Sequence, residues 1–106
     1  MMRKLSRKAF AKWLESKEPQ EKVGVPCHTR ACPIANFMNE NSPHRDYYVN
    51  GLYFGVATPT RVTNNPTPQW ARDFMRIIDI EGEDMVTADM VTAGEALRAL
   101  NIVAAQ

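Results

Sequence analysis

The sequence predicts an α+β fold, with three or four helices packed on one face of a small antiparallel sheet. Three observations carry that expectation. Apolar residues recur at helical spacing in three separate stretches. One short segment, Asp46 to Ala57, reads as a β-hairpin around Asn50-Gly51. The chain has 106 residues, 44% of them apolar and 24% charged. That suits one domain over 1–106, which buries roughly two-thirds of its unfolded surface.

The first helix is expected from Ser6, a capping residue, to about Ser16, with Pro19 beyond its end. Leu5, Ala9, Phe10, Trp13 and Leu14 fall on one side, and Lys4, Arg7, Lys8 and Lys12 on the other. Residues 18–33 read as a loop containing a short extended piece at Val23-Gly24-Val25, since Pro26 biases Val25 away from the α region. A second helix is expected near Cys32, with Pro33 at its first position, where a missing N–H costs nothing. Ile34, Phe37 and Met38 form its apolar stripe, and it stops before Pro43.

Asn-Gly is the preferred pair for a type I′ turn, because both central residues take positive φ. Such a turn would pair Val49 with Leu52, Tyr48 with Tyr53 and Tyr47 with Phe54. Tyr47, Val49, Leu52 and Phe54 would then share one face, and Tyr48 and Tyr53 the other. A lone hairpin is marginal in water, so further strands are expected, at Arg61-Val62-Thr63 or Val23 to Val25. After a polar connector, Thr67 and Pro68 can open a third helix, with Trp70, Phe74, Ile77 and Ile78 as its stripe and Gly82 as its end. Thr87 can cap a single turn, Ala88 to Val91. Thr92 and Glu95 have capping-box spacing before Ala96, Leu97 and Leu100. The expected core is Phe10, Trp13, Leu14, Ile34, Phe37, Val49, Leu52, Phe54, Trp70, Phe74, Ile77, Leu97 and Leu100.

A formal charge of +1 exerts no global pull toward nucleic acid or membrane. The charge is polarised, however. Residues 1–17 hold Arg3, Lys4, Arg7, Lys8, Lys12 and Lys17 against Glu15, whereas 79–95 hold Asp79, Glu81, Glu83, Asp84, Asp89 and Glu95 and no base. There is no apolar signal-peptide core, and no apolar run approaches the roughly 18 residues that span a bilayer. The expected location is cytoplasmic, without a membrane partner, and the two cysteines are expected to be reduced thiols.

Every cysteine and histidine lies between Cys27 and His44. Cys27, Cys32 and His44 are legitimate zinc ligands, and an outside group could complete a tetrahedral site. The spacing matches zinc knuckles poorly, and His28 directly follows Cys27, so the two would point to opposite faces of a strand. Small buried thiols and surface histidines are the simpler expectation. Cys32 at a helix start, with Arg30 and His28 nearby, also has the surroundings of a reactive thiolate, which makes it the candidate nucleophile of a thiol enzyme. No Cys-x-x-Cys motif accompanies it, although a reversible Cys27–Cys32 disulfide is a further alternative. Asp79 to Asp84 suggests a calcium loop, but the sixth and twelfth positions are Asp84 and Met90 instead of Gly and Glu. No phosphate-binding or nucleophile-elbow motif occurs.

These features favour a small soluble, non-enzymatic binding or regulatory module, of accessory or inhibitor type, acting on a protein partner. Tyr48 and Tyr53 are the candidate anchors, with Lys4, Arg7, Lys8 and Lys12 as charged contacts. The alternative is a nucleic-acid binder using the same basic helix, with zinc in the cysteine window. Homo-oligomerisation is compatible with either, and no cofactor other than that zinc is expected.

Overall fold

The structure, a computed structural model, describes residues 5–25, 29–40, 46–83 and 91–104. It is α+β, with four helices packed against antiparallel sheets. The elements are α1 (Arg7–Glu15), β1 (Lys22–Gly24), α2 (Pro33–Glu40), β2 (Tyr47–Val49), β3 (Tyr53–Thr58), β4 (Arg61–Val62), β5 (Asn65–Pro66), α3 (Gln69–Glu83), β6 (Val91–Thr92) and α4 (Ala93–Ala104).

Phe10 organises the helical side. It is fully buried, and its ring meets rings from three helices. Centroid separations are 6.0 Å to Trp13, 5.5 Å to Phe37, 5.9 Å to Trp70 and 5.2 Å to Phe74, the last edge-on. Pairs in these geometries each add about 0.5–1.5 kcal/mol beyond area burial. α4 packs on both α1 and α3, and it does so through a stripe of small residues. Ala93, Ala96 and Ala99 are all buried, and side chains this short let neighbouring helices approach closely.

The larger sheet centres on β3. β2 pairs antiparallel with one edge, Tyr47↔Val56, Tyr48↔Gly55 and Val49↔Phe54. β4 and β5 both pair with the other edge, in one continuous register from Thr58↔Arg61 to Tyr53↔Pro66. Val49 and Phe54 face inward and are buried, and α2 packs on β2. A second, two-stranded sheet joins β1 to β6.

That small sheet sets the start of α4. The first N–H groups of a helix have no partner within it. Here Ala93 N donates to Glu21 O at 2.9 Å and Gly94 N to Pro19 O at 2.9 Å. Glu95 N donates to Thr92 Oγ1 at 3.2 Å, and Thr92 N donates back to Glu95 Oε1 at 3.1 Å. The capping box is therefore formed as expected. Ser6 likewise caps α1, its Oγ accepting from Ala9 N at 3.3 Å, and Pro33 opens α2.

Several local expectations are corrected. The hairpin register is shifted, with Val49 opposite Phe54 and not Leu52. The Asn50 side chain is the reason. Its Oδ1 accepts from Leu52 N and Tyr53 N, both at 2.8 Å, forming an Asx-type turn. Gly51 stays outside the left-handed region, so the turn is not type I′. Leu52 accordingly leaves the core and is 69% exposed. Thr67 does not cap α3, because its hydroxyl donates to Asn50 O at 2.9 Å. Pro68 takes the cap position, its carbonyl accepting from Arg72 N at 3.1 Å. α3 continues through Gly82 to Glu83. Val23 pairs with the β6 side and not with the hairpin. Trp13, Trp70, Ile77 and Leu97 flank the core, partly buried. The turn expected at Ala88 lies outside the described residues.

The hydrogen bonds from the Thr92 backbone and then the Thr92 hydroxyl hold the Glu95 carboxyl below its ordinary value of 4.5. A carboxylate with a lowered folded-state value stabilises the fold above its ordinary value, and that contribution fades as pH falls through the folded one. Glu95→Gln should therefore flatten the loss of stability below about pH 4.5, as read from urea midpoints across pH 2–6 relative to wild type.

Candidate functional site

The candidate residues lie on three parts of the fold. Cys32 is at the start of α2, where its carbonyl accepts from Asn36 N at 2.9 Å. The helix-start position is as expected, and Cys32 is only 3% exposed, which matches the simpler expectation of a small buried thiol and not the accessible nucleophile. Packing around it is tight. A Cβ on Gly24 would overlap the Cys32 carbonyl carbon and the Pro33 nitrogen, so β1 runs directly against the start of α2. Asn36 Nδ2 ties the same corner together, donating to Val23 O at 2.8 Å and Ala31 O at 3.1 Å. A nucleophile must reach a substrate, and Cys32 is buried. Cys27, His28 and His44 lie outside the described residues. Among the described residues no group of three potential ligands converges on a point that could hold a metal.

The basic residues ride on α1. Arg7, Lys8 and Lys12 are exposed, and no acidic group among the described residues pairs with them. Lys17 is different. Its ammonium lies 3.2 Å from Glu40 Oε1, 3.9 Å from Glu21 Oε2 and 5.1 Å from the centre of the Trp13 ring. Glu40 Oε2 also accepts from Trp13 Nε1 at 2.7 Å. Lys17 therefore serves to join α1 to α2, and the open basic surface is Arg7, Lys8 and Lys12. Lys4 lies outside the described residues.

The tyrosines are on the outward face of the sheet, as the alternation of side chains along each strand requires. They are not a cross-strand pair. Tyr48 lies opposite Gly55, and its hydroxyl reaches the outer segment, donating to Thr63 O at 3.0 Å and meeting the Asn64 side-chain amide. Gly55 makes that reach across β3 feasible, since a Cβ there would overlap the Thr63 carbonyl. Tyr53 is 47% exposed and follows directly on Leu52. The structure brings neither tyrosine to α1, which packs on α4 and α2.

Sequence reasoning missed two features. Leu52 joins Tyr53 at the exposed tip, and only the competing Asn50 side chain, a known turn former, could have signalled it. The two edges of the sheet are also treated differently. At β2, Val49 N donates to Thr29 O at 2.9 Å. The amide of Asn39, on α2, meets both backbone groups of Tyr47, accepting from its N at 2.8 Å and donating to its O at 3.2 Å. Asn39 thus closes that edge as a further strand would. On the other side the ladder is interrupted at Thr63, whose hydroxyl, in place of its carbonyl, accepts from Val56 N at 3.0 Å while the carbonyl accepts from the Tyr48 hydroxyl.

Compared with known protein families, curated proteins and solved structures, the chain matches none of them. Among the described residues no helix is long and apolar enough to cross a membrane.

Burial makes a direct expectation for Cys32. In a Cys27→Ser variant, the remaining thiol should resist a large alkylating reagent in the native state and react at the rate of a model thiol once unfolded. Native reactivity equal to that of the unfolded chain would put the thiol at the surface.

Proposed function

We propose that this chain is a non-enzymatic binding module that recognises a protein partner through the tip of its hairpin, with Leu52 and Tyr53 as anchors. The observation that supports it is the combination of exposure and rigidity at that tip. Leu52 is 69% and Tyr53 47% exposed, while the next residue, Phe54, is buried. The turn is nevertheless pinned. Leu52 N and Tyr53 N are both held by Asn50 Oδ1, Leu52 O accepts from Thr67 N at 3.0 Å, and Asn50 O accepts the Thr67 hydroxyl.

Ordering a loop on binding costs free energy, and a tip already held in one shape avoids that cost. Tyrosine and other large apolar side chains in such positions are favoured interface anchors. A small rigid body of this kind suits an accessory or inhibitor role, in which occupying a partner's surface is the whole effect.

Both anchors point to solvent, so replacing them leaves the fold intact, within about ±0.5 kcal/mol. Affinity purification of wild type beside a Leu52→Ser/Tyr53→Ser variant is the test. A stoichiometric protein should accompany wild type and be lost from the variant. Equal recovery with both, or no partner with either, would overturn the reading.

A second reading uses the open cations Arg7, Lys8 and Lys12 on α1 to bind nucleic-acid phosphates. Its support is their shared exposure without acidic partners. Each neutralised phosphate contributes a slope of about −0.9 to log affinity against log salt, so three contacts give about −2.7 on duplex DNA. Binding that is absent, or flat across a salt titration, would remove this alternative.

A further inference from the structure

Asn50-Gly51 is the one Asn-Gly step in the chain. An asparagine side-chain amide and the next backbone nitrogen are joined by a short stretch of chain, so they react as neighbours in one molecule, through a five-membered ring. Glycine favours that closure, because no Cβ stands beside the attacking nitrogen. Gly51 is exposed, and a Cβ built there would meet nothing within 4 Å. Among the described residues nothing accepts from the Gly51 N–H, and nothing holds Asn50 Nδ2, the group that would leave.

The rest of Asn50 is held. Its Oδ1 accepts from Leu52 N and Tyr53 N, both at 2.8 Å, which fixes the side-chain torsions. Its backbone N donates to Tyr53 O at 2.9 Å. Its carbonyl accepts the Thr67 hydroxyl at 2.9 Å, which fixes the peptide plane shared with Gly51. Thr67 is buried, so water does not compete freely for that bond. Ring closure has to turn both parts. In the near-planar ring, Cγ eclipses the backbone carbonyl carbon about the Cα–Cβ bond, which no staggered side chain does.

We infer that Asn50 is a self-modification site, closed while Thr67 holds the turn and active when the turn opens locally. In the opened turn Gly51 N gives its proton to water and attacks Asn50 Cγ. Nδ2 takes up a proton and leaves as ammonia, and a succinimide ring is closed. A water molecule then adds to one of the two ring carbonyls. Breaking the Cγ–N bond leaves aspartate at position 50. Breaking the bond from the Asn50 carbonyl carbon to Gly51 N leaves isoaspartate. Nothing is oxidised or reduced, and an amide and water become a carboxylate and ammonium.

The two products treat the tip differently. Aspartate keeps an acceptor where Oδ1 stands. Isoaspartate runs the main chain through Cγ, lengthens the turn by a methylene and makes a free carboxylate of the old carbonyl. The acceptors of Leu52 N, Tyr53 N and the Thr67 hydroxyl are displaced together, so the turn cannot close again in its first form. This does not depend on the partner reading above, and every measurement is of the chain itself.

The test incubates the chain at mildly alkaline pH and follows position 50 by peptide mapping, for the mass gained when an amide becomes an acid and for isoaspartate. Folded wild type should react about tenfold or more slowly than the same chain unfolded in urea, because only the opened turn reacts. Thr67→Val removes one hydrogen bond from the Asn50 carbonyl and should raise the folded-state rate about tenfold. Thr67→Ser keeps the donor and should stay near wild type. Ile34→Val, which loosens the core away from the turn, should do the same. Gly51→Ala has room for its methyl and, unfolded, should form isoaspartate several-fold more slowly than wild type. In the isolated isoaspartate product the Leu52 and Tyr53 amides should exchange faster than in wild type. Should Thr67→Val fail to fold, low urea on wild type replaces it, and the rate should climb before the far-ultraviolet signal of the fold changes. An Asn50 that stays intact in the unfolded chain overturns the proposal, as does one that reacts equally fast in the folded chain. So does a folded Thr67→Val no faster than wild type, an Ile34→Val as fast as Thr67→Val, or a wild-type rate that climbs only with global unfolding. An unchanged rate in Gly51→Ala, or unchanged exchange at Leu52 and Tyr53 in the product, overturns it as well.

Discussion

Thr67 joins the two halves of this molecule. It is the only buried polar residue among the described residues, 3% exposed. Its N–H and hydroxyl are both spent on the hairpin turn, at Leu52 O and Asn50 O. The residue follows β5 and stands just before α3, so the same pair of hydrogen bonds closes the outer segment against β3 and positions the helix carrying Trp70 and Phe74. Inside a protein, leaving such a buried donor unpaired costs about 1–3 kcal/mol. The turn, the sheet register and the entry to α3 are thus fixed together, and the exposed tip inherits its rigidity from a buried group.

Much of the architecture was legible because its signals are local. Ser6, Pro33 and the Thr92–Glu95 pair each act within one turn of chain, and each is found where its chemistry places it. The aromatic stripe of α3 was equally direct. What was not legible depends on contacts between distant residues. Asn50-Gly51 signals a tight turn, yet Thr67, far along the chain, and the Asn50 side chain itself set a different one. Leu52 consequently moved from expected core to exposed tip. The alanine stripe of α4 carries little weight in a hydropathy pattern, but it determines how closely three helices approach. Cys32 shows the same limit. Its helix-start position follows from Pro33, whereas its burial depends on elements that only the fold brings around it, β1 among them.

The molecule presents two unlike surfaces on separate elements. One is cationic and lies on α1, where Arg7, Lys8 and Lys12 stand clear of acidic groups among the described residues. The other is largely apolar and lies on the sheet, from Leu52 and Tyr53 to Val62. The separation follows from how the helices and the sheet are packed: α1 spends its apolar face on Phe10 and Leu14, and the sheet spends one face on Val49 and Phe54. What remains of each element is left to the surface.

The strand β1 has a consequence for how the chain is made. Its partner β6, and the α4 helix whose opening N–H groups rest on Pro19 and Glu21, leave the ribosome after every other described element. Until they emerge, β1 lacks its partner strand β6 and α1 lacks its packing against α4. Contacts between such distant segments are slow to form, because a long loop must close before they give any return. Early segments therefore wait partly exposed during synthesis, and this body becomes cooperative only when β6 and α4 return to meet β1 and α1.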